Sequence, residues 1–312
     1  MSSCYNFYME KSKIIIDTDP GHDDALAIML LEKSGLFDIR AITTVAGNSS
    51  IENVTNNARY ILDLIDCKAP LYSGASKPLN RELVRAVVHG EGGLEGALIT
   101  IQEPLTGNAI EKIISIVREN PQEISIVVIG PQTNIAQAFI KDPKLPSLIK
   151  QLVIMGGAIV VPGNKNRVAE FNIFVDPEAA DIVFKADVKK ILIPLDVCNE
   201  IVLQIADFEQ LMGSKLYEPI LKMMDKYIHG LMVGEKISGA LMYDPLAAYY
   251  LINPCAYDLE PMDIKIETVS ELTRGMTVAE RRTWGEKNPN VFVAKSADGS
   301  AFTKDFLKIL KS

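Results

Sequence analysis

The sequence has few of the features expected of a secreted or membrane protein. Among its 312 residues are four scattered cysteines with no CxxC pair, so free thiols in a reducing cytoplasm are the simplest interpretation. No apolar run reaches the ~20 residues that a membrane helix needs, and residues 1–12 have no signal-peptide pattern. We therefore predict a cytoplasmic protein.

Features of nucleic-acid and nucleotide binding are also missing. With 32 basic against 40 acidic residues, the net charge is −8, which argues against nucleic acid or an anionic membrane as a partner. Neither GxxxxGK[ST] nor a strand followed by GxGxxG is present, which excludes the common phosphate-binding loops.

Strand-like and helix-like segments alternate along the chain. The alternation favours one α/β domain over residues 13–312, with a mainly parallel sheet flanked by helices. Residues 1–12 are predicted to be a poorly ordered N-terminal extension. The predicted strands are 14–16, 39–45, 124–129, 151–155 and 190–195, with a strand pair at 264–269 and 291–294. The predicted helices are 23–31, 51–65, 110–117, 135–140 and 177–184.

An acidic cluster, DTDPGHDDA at residues 17–25, directly follows the first predicted strand. Ligands bind at the carboxyl ends of strands in open α/β sheets. Anions this close repel one another, so a cation would keep them ionised, and oxygen ligands favour Ca²⁺ or Mg²⁺ over Zn²⁺. The alternative is that Asp23 and Asp24 are ordinary charges at a helix N-terminus, while Asp17 and Asp19 cap a turn.

Polar turns that follow later strands are expected to converge on the same edge of the sheet. They lie at 43–48, 130–134, 155–157, 170–172 and 196–199. Asp244 precedes Pro245 and an apolar helix, and it has two interpretations. The local sequence favours the first, in which Asp244 is a helix N-cap. In the second, Asp244 is a metal ligand. Trp284, the only tryptophan, is predicted to be a packing residue.

Together these features resemble the nucleoside hydrolase family, the calcium-dependent N-ribohydrolases of the inosine–uridine type. The motif DTDPGxDDA matches at residues 17–25, and the resemblance extends from about residue 13 to the C-terminus. It implies a single α/β domain with a Rossmann-like core, a homodimer or homotetramer, and a Ca²⁺ cofactor. It also implies hydrolysis of ribonucleosides to ribose and free nucleobase, in purine or pyrimidine salvage.

The resemblance also implies roles for individual residues. Asp19 would be the general base that takes a proton from a calcium-bound water. The calcium ligands would be Asp19, Asp24, Asp244 and, through its backbone carbonyl, Thr133. Residues around the ribose would be Asp23, Asn48, Met155, Asn164, Glu170 and Asn172. Because Glu170 would face the 5′-hydroxyl and repel a 5′-phosphate, nucleosides are predicted to be better substrates than nucleotides.

Several residues are candidates for the group that assists the departing base. Many family members have His-Asp where this chain has Tyr243-Asp244, and tyrosine, with an unperturbed pKa of about 10, is a poorer acid. His89 matches a histidine loop of pyrimidine-preferring members, so Tyr243 and His89 are both catalytic candidates. His229 is a further substrate-binding candidate, against the simpler interpretation of an exposed or packed helical histidine.

Two other functions compete with the nucleoside hydrolase. A Mg²⁺-dependent phosphatase of the haloacid dehalogenase type would share the DxD of Asp17 and Asp19, but Gly21 stands where that family has Thr or Val. A nucleoside-binding protein without turnover would explain Tyr243, but it would have no need of Asp19 as a base.

Overall fold

Strands and helices alternate through the computed structural model, which describes residues 11–86, 88–100, 102, 107–234 and 236–312. The strands are β1 (Ser12–Thr18), β2 (Phe37–Thr44), β3 (Leu71–Ser73), β4 (Ser125–Val128), β5 (Gln151–Met155), β6 (Lys190–Ile193), β7 (Val202–Leu203), β8 (Ala240–Leu241), β9 (Tyr257–Met262), β10 (Ile264–Ile266), β11 (Thr277–Ala279) and β12 (Val291–Ala297). The α-helices are α1 (His22–Lys33), α2 (Ile51–Leu64), α3 (Ala109–Glu119), α4 (Thr133–Lys141), α5 (Phe171–Val175), α6 (Pro177–Lys185), α7 (Leu195–Cys198), α8 (Tyr217–Gly234), α9 (Tyr243–Ile252) and α10 (Gly299–Lys311).

The central sheet has eight strands in the order β3-β2-β1-β4-β5-β6-β12-β9. Every neighbouring pair is parallel except β12 and β9, which are antiparallel. Helices cover both faces, so alternate residues of β1 enter different cores: Ile14 and Ile16 one, Ile15 the other. The predicted α/β class with a mainly parallel sheet is confirmed.

The strand order places a topological switch point beside β1. From β1 the chain goes outward through β2 and β3, and it then returns to pair β4 on the other side of β1. The connections after β1 and β4 therefore separate in opposite directions and leave a crevice at their carboxyl ends, where ligands bind in such sheets. The acidic cluster follows β1 and so lies at this crevice.

Helices α1 and α9 are buried along most of their length. All residues of α1 from His22 to Leu31 are buried, as are Tyr243 to Tyr250 of α9. A helix that is apolar on all sides has to be packed on all sides. The two helices pack against each other, which brings acidic first turns more than 200 residues apart in sequence into one place.

Three predictions need correction or qualification. Segments 264–269 and 291–294 do not pair with each other, since β10 pairs with β11 and β12 pairs with β6 and β9. Apolar runs reveal strands but not their partners, and β11 was too short to be recognised. Trp284 is 82 % exposed, so the packing prediction was wrong. Residues 1–10 of the predicted extension lie outside the described residues, and Ser12 already belongs to β1.

Membrane-spanning helices were sought throughout the described ranges, and none has the length and apolar character that spanning requires.

Candidate active site

Four buried carboxylates meet where β1, α1 and α9 come together. Asp19 follows β1, Asp23 and Asp24 lie in the first turn of α1, and Asp244 lies in the first turn of α9. Each is at most 4 % exposed. Asp17, at the end of β1, supports them from below, because its Oδ1 accepts hydrogen bonds from Thr43 Oγ1 and Asn134 Nδ2.

The turns after β2 and β4 close over Asp19. Asn48 N donates to Asp19 Oδ2 over 2.7 Å, whereas Oδ1 is buried and has no hydrogen-bond partner within the described ranges. A Cβ atom at Gly47 would lie 2.1 Å from Oδ2, and one at Gly130 would lie 2.7 Å from Oδ1. Both turns therefore require glycine to bring their backbone this close to the carboxylate.

Asp24 combines a structural role with a place in the cluster. Its Oδ2 accepts a hydrogen bond over 2.9 Å from the backbone N–H of Gly21, the N-cap of α1, and its Oδ1 accepts one from Thr18 Oγ1 over 2.5 Å. The alternative prediction, a charge at a helix N-terminus, is therefore true of Asp24. A role at the helix N-terminus does not explain the further hydrogen bond that Asn48 Nδ2 donates to Asp24 Oδ2.

Burial and mutual repulsion disfavour the charged form of these carboxyl groups. Burial raises the pKa of Asp19, Asp24 and Asp244. The negative charges of neighbouring aspartates raise the pKa of Asp19 and Asp244 further. Carboxylates this close and this deeply buried are therefore stabilised by protons or by a cation.

The geometry fits a divalent cation. Asp23, Asp24 and Asp244 each offer a carboxylate oxygen, and these oxygens all lie within 4.8 Å of one another. The set contains oxygen only, which suits Ca²⁺ or Mg²⁺, and the unpartnered Oδ1 of Asp19 lies in the same cluster.

Two of the predicted metal ligands need comment. The N-cap of α9 is Met242 and not Asp244, so the capping interpretation of Asp244 was wrong. Thr133 opens α4, and its hydroxyl donates to Asp176 Oδ2 over 2.7 Å. Its predicted contact uses the backbone carbonyl, which that hydrogen bond leaves available.

A cavity of about 370 Å³ adjoins the cluster. Six of the seven predicted substrate-binding residues line it, namely Asp23, Asn48, Met155, Asn164, Glu170 and Asn172. Asn172 Nδ2 donates to Ile129 O over 3.1 Å and lies 3.7 Å from Met155 Sδ. These contacts fix the Asn172 amide at the carboxyl ends of β4 and β5.

Glu170 is the N-cap of the short helix α5. Its carboxylate accepts hydrogen bonds from the backbone N–H groups of Gly157, Asn172 and Ile173. Burial nevertheless dominates and raises the pKa of Glu170 to about 7. Near neutral pH, Glu170 therefore takes up a proton more readily than an ordinary glutamic acid does.

The other side of the cavity carries aromatic rings. His89, Tyr227 and Tyr243 line it. His22, His89 and Tyr227 stack on one another with ring centroids 5.2 to 5.4 Å apart. Burial and the neighbouring His22 lower the pKa of His89, so its ring is neutral near pH 7. His89 Nε2 is 3.8 Å from Asp23 Oδ1, and this carboxylate favours a proton on that nitrogen.

His229 is not brought to the cavity, although it was predicted to bind substrate. It is exposed on α8, whereas Tyr227, two residues earlier, lines the cavity. Two residues turn a helix by about 200°, so these side chains point to opposite sides. The buried positions Ile220, Met223, Met224, Tyr227 and Leu231 follow helical periodicity and could have identified Tyr227 from the sequence.

Two further residues were missed by the sequence reasoning. His22 was passed over within the acidic motif, yet it is buried against His89. Lys165 also lines the cavity, next to Asn164. The sequence offers no periodicity for Lys165, because it lies in the irregular segment between β5 and α5.

Sequence comparisons identify relatives over nearly the whole chain. A family model described as inosine-uridine preferring nucleoside hydrolase matches residues 14–304. The pyrimidine-specific ribonucleoside hydrolase RihA of Shewanella sp. (strain ANA-3) is 38% identical over 298 residues, which cover 93% of this chain and 93% of that protein. RihA of Salmonella typhimurium is 37% identical over 297 residues, covering 93% of this chain and 95% of that protein.

Solved structures agree with this result. A plant nucleoside hydrolase has a TM-score of 0.91 and 29% identity, covering 97% of this chain and 100% of that one. A purine-preferring ribonucleoside hydrolase from Gardnerella vaginalis has a TM-score of 0.89 and 28% identity, covering 96% of this chain and 98% of that one.

Proposed function

The chain belongs to the inosine-uridine preferring nucleoside hydrolase family, and from this premise we propose which residues perform each part of its reaction. The protein is an enzyme that hydrolyses the N-glycosidic bond of ribonucleosides to ribose and free nucleobase. The phosphatase and the binding protein without turnover are not favoured. The observation that supports our assignment of roles is the buried carboxylate cluster at the cavity.

The carboxylates and amides stabilise the ribose as its bond to the base breaks. Positive charge develops on the ring in such a reaction, and fixed negative charge beside it stabilises the transition state. We assign ribose binding to Asp23, Asn48 and Asn172, because they line the cavity next to the cluster. Met155 forms the floor beneath the sugar, and Asn164 and Glu170 hold the 5′ end.

Asp19 is assigned as the general base. Its Oδ2 is held by Asn48 N, while the buried Oδ1 keeps its lone pairs for a water molecule. We assign metal binding to Asp24 and Asp244, with Asp19 and the carbonyl of Thr133. We add Asp23 to these ligands, because its carboxylate oxygen lies within 4.8 Å of those of Asp24 and Asp244. The family is metal-dependent, and we propose Ca²⁺ because it accepts many oxygen ligands. When bound, the cation supplies a water molecule of lowered pKa.

The departing base receives a proton from His89 or Tyr243. Both line the aromatic side of the cavity, and His89 Nε2 lies beside Asp23. We favour His89, because the Asp23 carboxylate beside its Nε2 keeps a proton on that nitrogen, from which it can be donated towards the departing base. His229 is left out of the substrate set, and Tyr227 takes its place.

We propose pyrimidine ribonucleosides as the preferred substrates. The support comes from relatives named as pyrimidine-specific at 37–38% identity, whereas the purine-preferring structure is 28% identical. The family resemblance extends the proposal to a homodimer or homotetramer that works in salvage in the cytoplasm.

Ribose release from uridine, cytidine, inosine and adenosine, measured with Ca²⁺ present, tests this substrate preference. We expect a higher kcat/KM for uridine and cytidine. A higher value for inosine and adenosine would overturn the pyrimidine assignment while leaving the hydrolase activity in place.

A further inference from the structure

Helix α8 has a glycine in its interior, Gly230, although glycine is one of the poorest helix formers. A glycine at such a position usually has a packing reason. A Cβ atom on Gly230 would lie 2.2 Å from the carbonyl oxygen of Val88 and 3.1 Å from its carbonyl carbon. The Val88 backbone therefore rests directly on the backbone of α8, and any side chain at position 230 would displace it.

The residue that rests on Gly230 directly precedes His89 in the chain. The segment 88–96 then lies along α8 in the opposite direction, since its last residue, Gly96, packs against the backbone of Lys222. A Cβ atom on Gly96 would be 2.5 Å from Lys222 O. These two contact points are roughly 12 Å apart along the helix axis. The segment that carries His89 is thus held on α8 at both of its ends.

Between the two contact points, the ring of His89 is fixed by its neighbours. Tyr227 lies three residues before Gly230, hence on the same face of α8, and stacks on His89 with ring centroids 5.4 Å apart. The backbone N–H of His22 donates to His89 Nδ1 over 3.4 Å, which leaves the proton of a neutral ring on Nε2. The direction in which Nε2 points therefore depends on where the segment 88–96 lies on α8.

We propose that Gly230 is a positioning residue for the hydrolysis, because it lets the Val88 backbone reach α8 and thereby places His89 Nε2 beside the departing base. The proposal rests on the proposed function, and in particular on His89 as the acid. Gly230 is not among the described residues that line the cavity, so it acts through His89. A Cβ atom at position 230 would push Val88 O away by about 1 Å, and a misplacement of this size at a catalytic group lowers the rate.

The test replaces Gly230 by alanine and follows two substrates. The base of uridine needs a proton as it departs, whereas the leaving group of p-nitrophenyl riboside needs little protonation. We would measure kcat and KM for the wild type, Gly230→Ala, His89→Ala and the variant that combines both substitutions. Gly92→Ala is the matched control, because Gly92 belongs to the same segment and a Cβ atom there would meet no atom within 4 Å.

We expect Gly230→Ala to lower kcat for uridine roughly tenfold and kcat for p-nitrophenyl riboside less than about twofold. Without His89, the same substitution should add little, because the two residues act on one step. Gly92→Ala should resemble the wild type. A purely structural role of α8 predicts instead a higher Tm and unchanged kcat in Gly230→Ala, because alanine is the better helix former.

Three results would overturn the proposal. Gly230→Ala could hydrolyse uridine like the wild type, it could slow both substrates equally, or its effect could be as large without His89 as with it. Retained turnover of p-nitrophenyl riboside shows that the variant is folded and that its carboxylate cluster works.

A spectroscopic measurement separates this proposal from the proposed function. The chain has three histidines, so their ring C–H signals can be followed by NMR, and His89→Ala identifies the signal of His89. The stacked rings of His22 and Tyr227 shift this signal in the wild type. Gly230→Ala should move it, whereas Gly92→Ala should not. If the wild type fails to hydrolyse uridine, the proposed function is wrong, and an unmoved His89 signal in Gly230→Ala would overturn the role of Gly230 as well.

Discussion

The acidic and the aromatic sides of the cavity are built differently. The acidic side places Asp19, Asp23, Asp24 and Asp244 on the ends of one strand and two buried helices, and hydrogen bonds hold Asp19 and Asp24. The aromatic side takes His89 from a turn and Tyr227 from α8, and stacking joins them. The acidic side depends on the topology of the sheet, whereas the aromatic side depends on how separate segments pack.

This comparison assigns bond cleavage to the acidic side and recognition of the base to the aromatic side. Substitutions on the acidic side should therefore reduce the rate most. Those on the aromatic side should have smaller effects that depend on the leaving group.

The largest effect is expected for Asp19→Asn. The amide keeps the acceptor for Asn48 N but cannot take a proton, so kcat/KM for uridine should fall by roughly 10²–10⁴-fold. Removing one of several repelling charges should not lower the Tm of the metal-free protein. Asp63→Asn on the exposed side of α2 is the matched control. Turnover like the wild type in Asp19→Asn would remove Asp19 as the base.

An intermediate loss of kcat/KM is expected for His89→Ala, and comparison with Tyr243→Phe shows which of the two residues assists the departing base. His89→Ala should lower kcat/KM for uridine by roughly 10²-fold, the lower range for a positioned acid, while Tyr243→Phe should change it little. With p-nitrophenyl riboside, whose leaving group needs little protonation, His89→Ala should recover most of its rate. If Tyr243→Phe shows the selective loss and His89→Ala does not, tyrosine is the acid and our preference is wrong.

The smallest effects are expected at α8. Tyr227→Leu removes the ring stacked on His22 and His89 and should lower kcat/KM for uridine roughly tenfold. Tyr227→Phe keeps the ring and should stay close to the wild type. His229→Ala on the opposite side of the helix should have no effect, and a loss there equal to that of Tyr227→Leu would contradict the orientation of α8.

The difference between the two sides also explains what the sequence could predict. Asp19 and Asp24 follow a strand that is recognisable from Ile14 to Ile16, so the sheet edge they share was predictable. Local sequence favoured the wrong role for Asp244, because only the packing of α9 on α1 places it in the cluster. Lys165 was missed for the same reason, since it lies in an irregular segment whose position depends on contacts with residues distant in sequence, whereas the periodicity of α8 already pointed to Tyr227.

The central claim is that the carboxylate cluster hydrolyses ribonucleosides only with a divalent cation bound. The most direct measurement is ribose release from uridine by the wild type after treatment with a chelator and again after addition of Ca²⁺, with calorimetry of Ca²⁺ binding to the wild type and to Asp244→Ala. We predict loss of turnover on chelation, recovery with Ca²⁺, and weaker Ca²⁺ binding by Asp244→Ala. Undiminished turnover after complete chelation, or unchanged Ca²⁺ affinity in Asp244→Ala, would contradict the account.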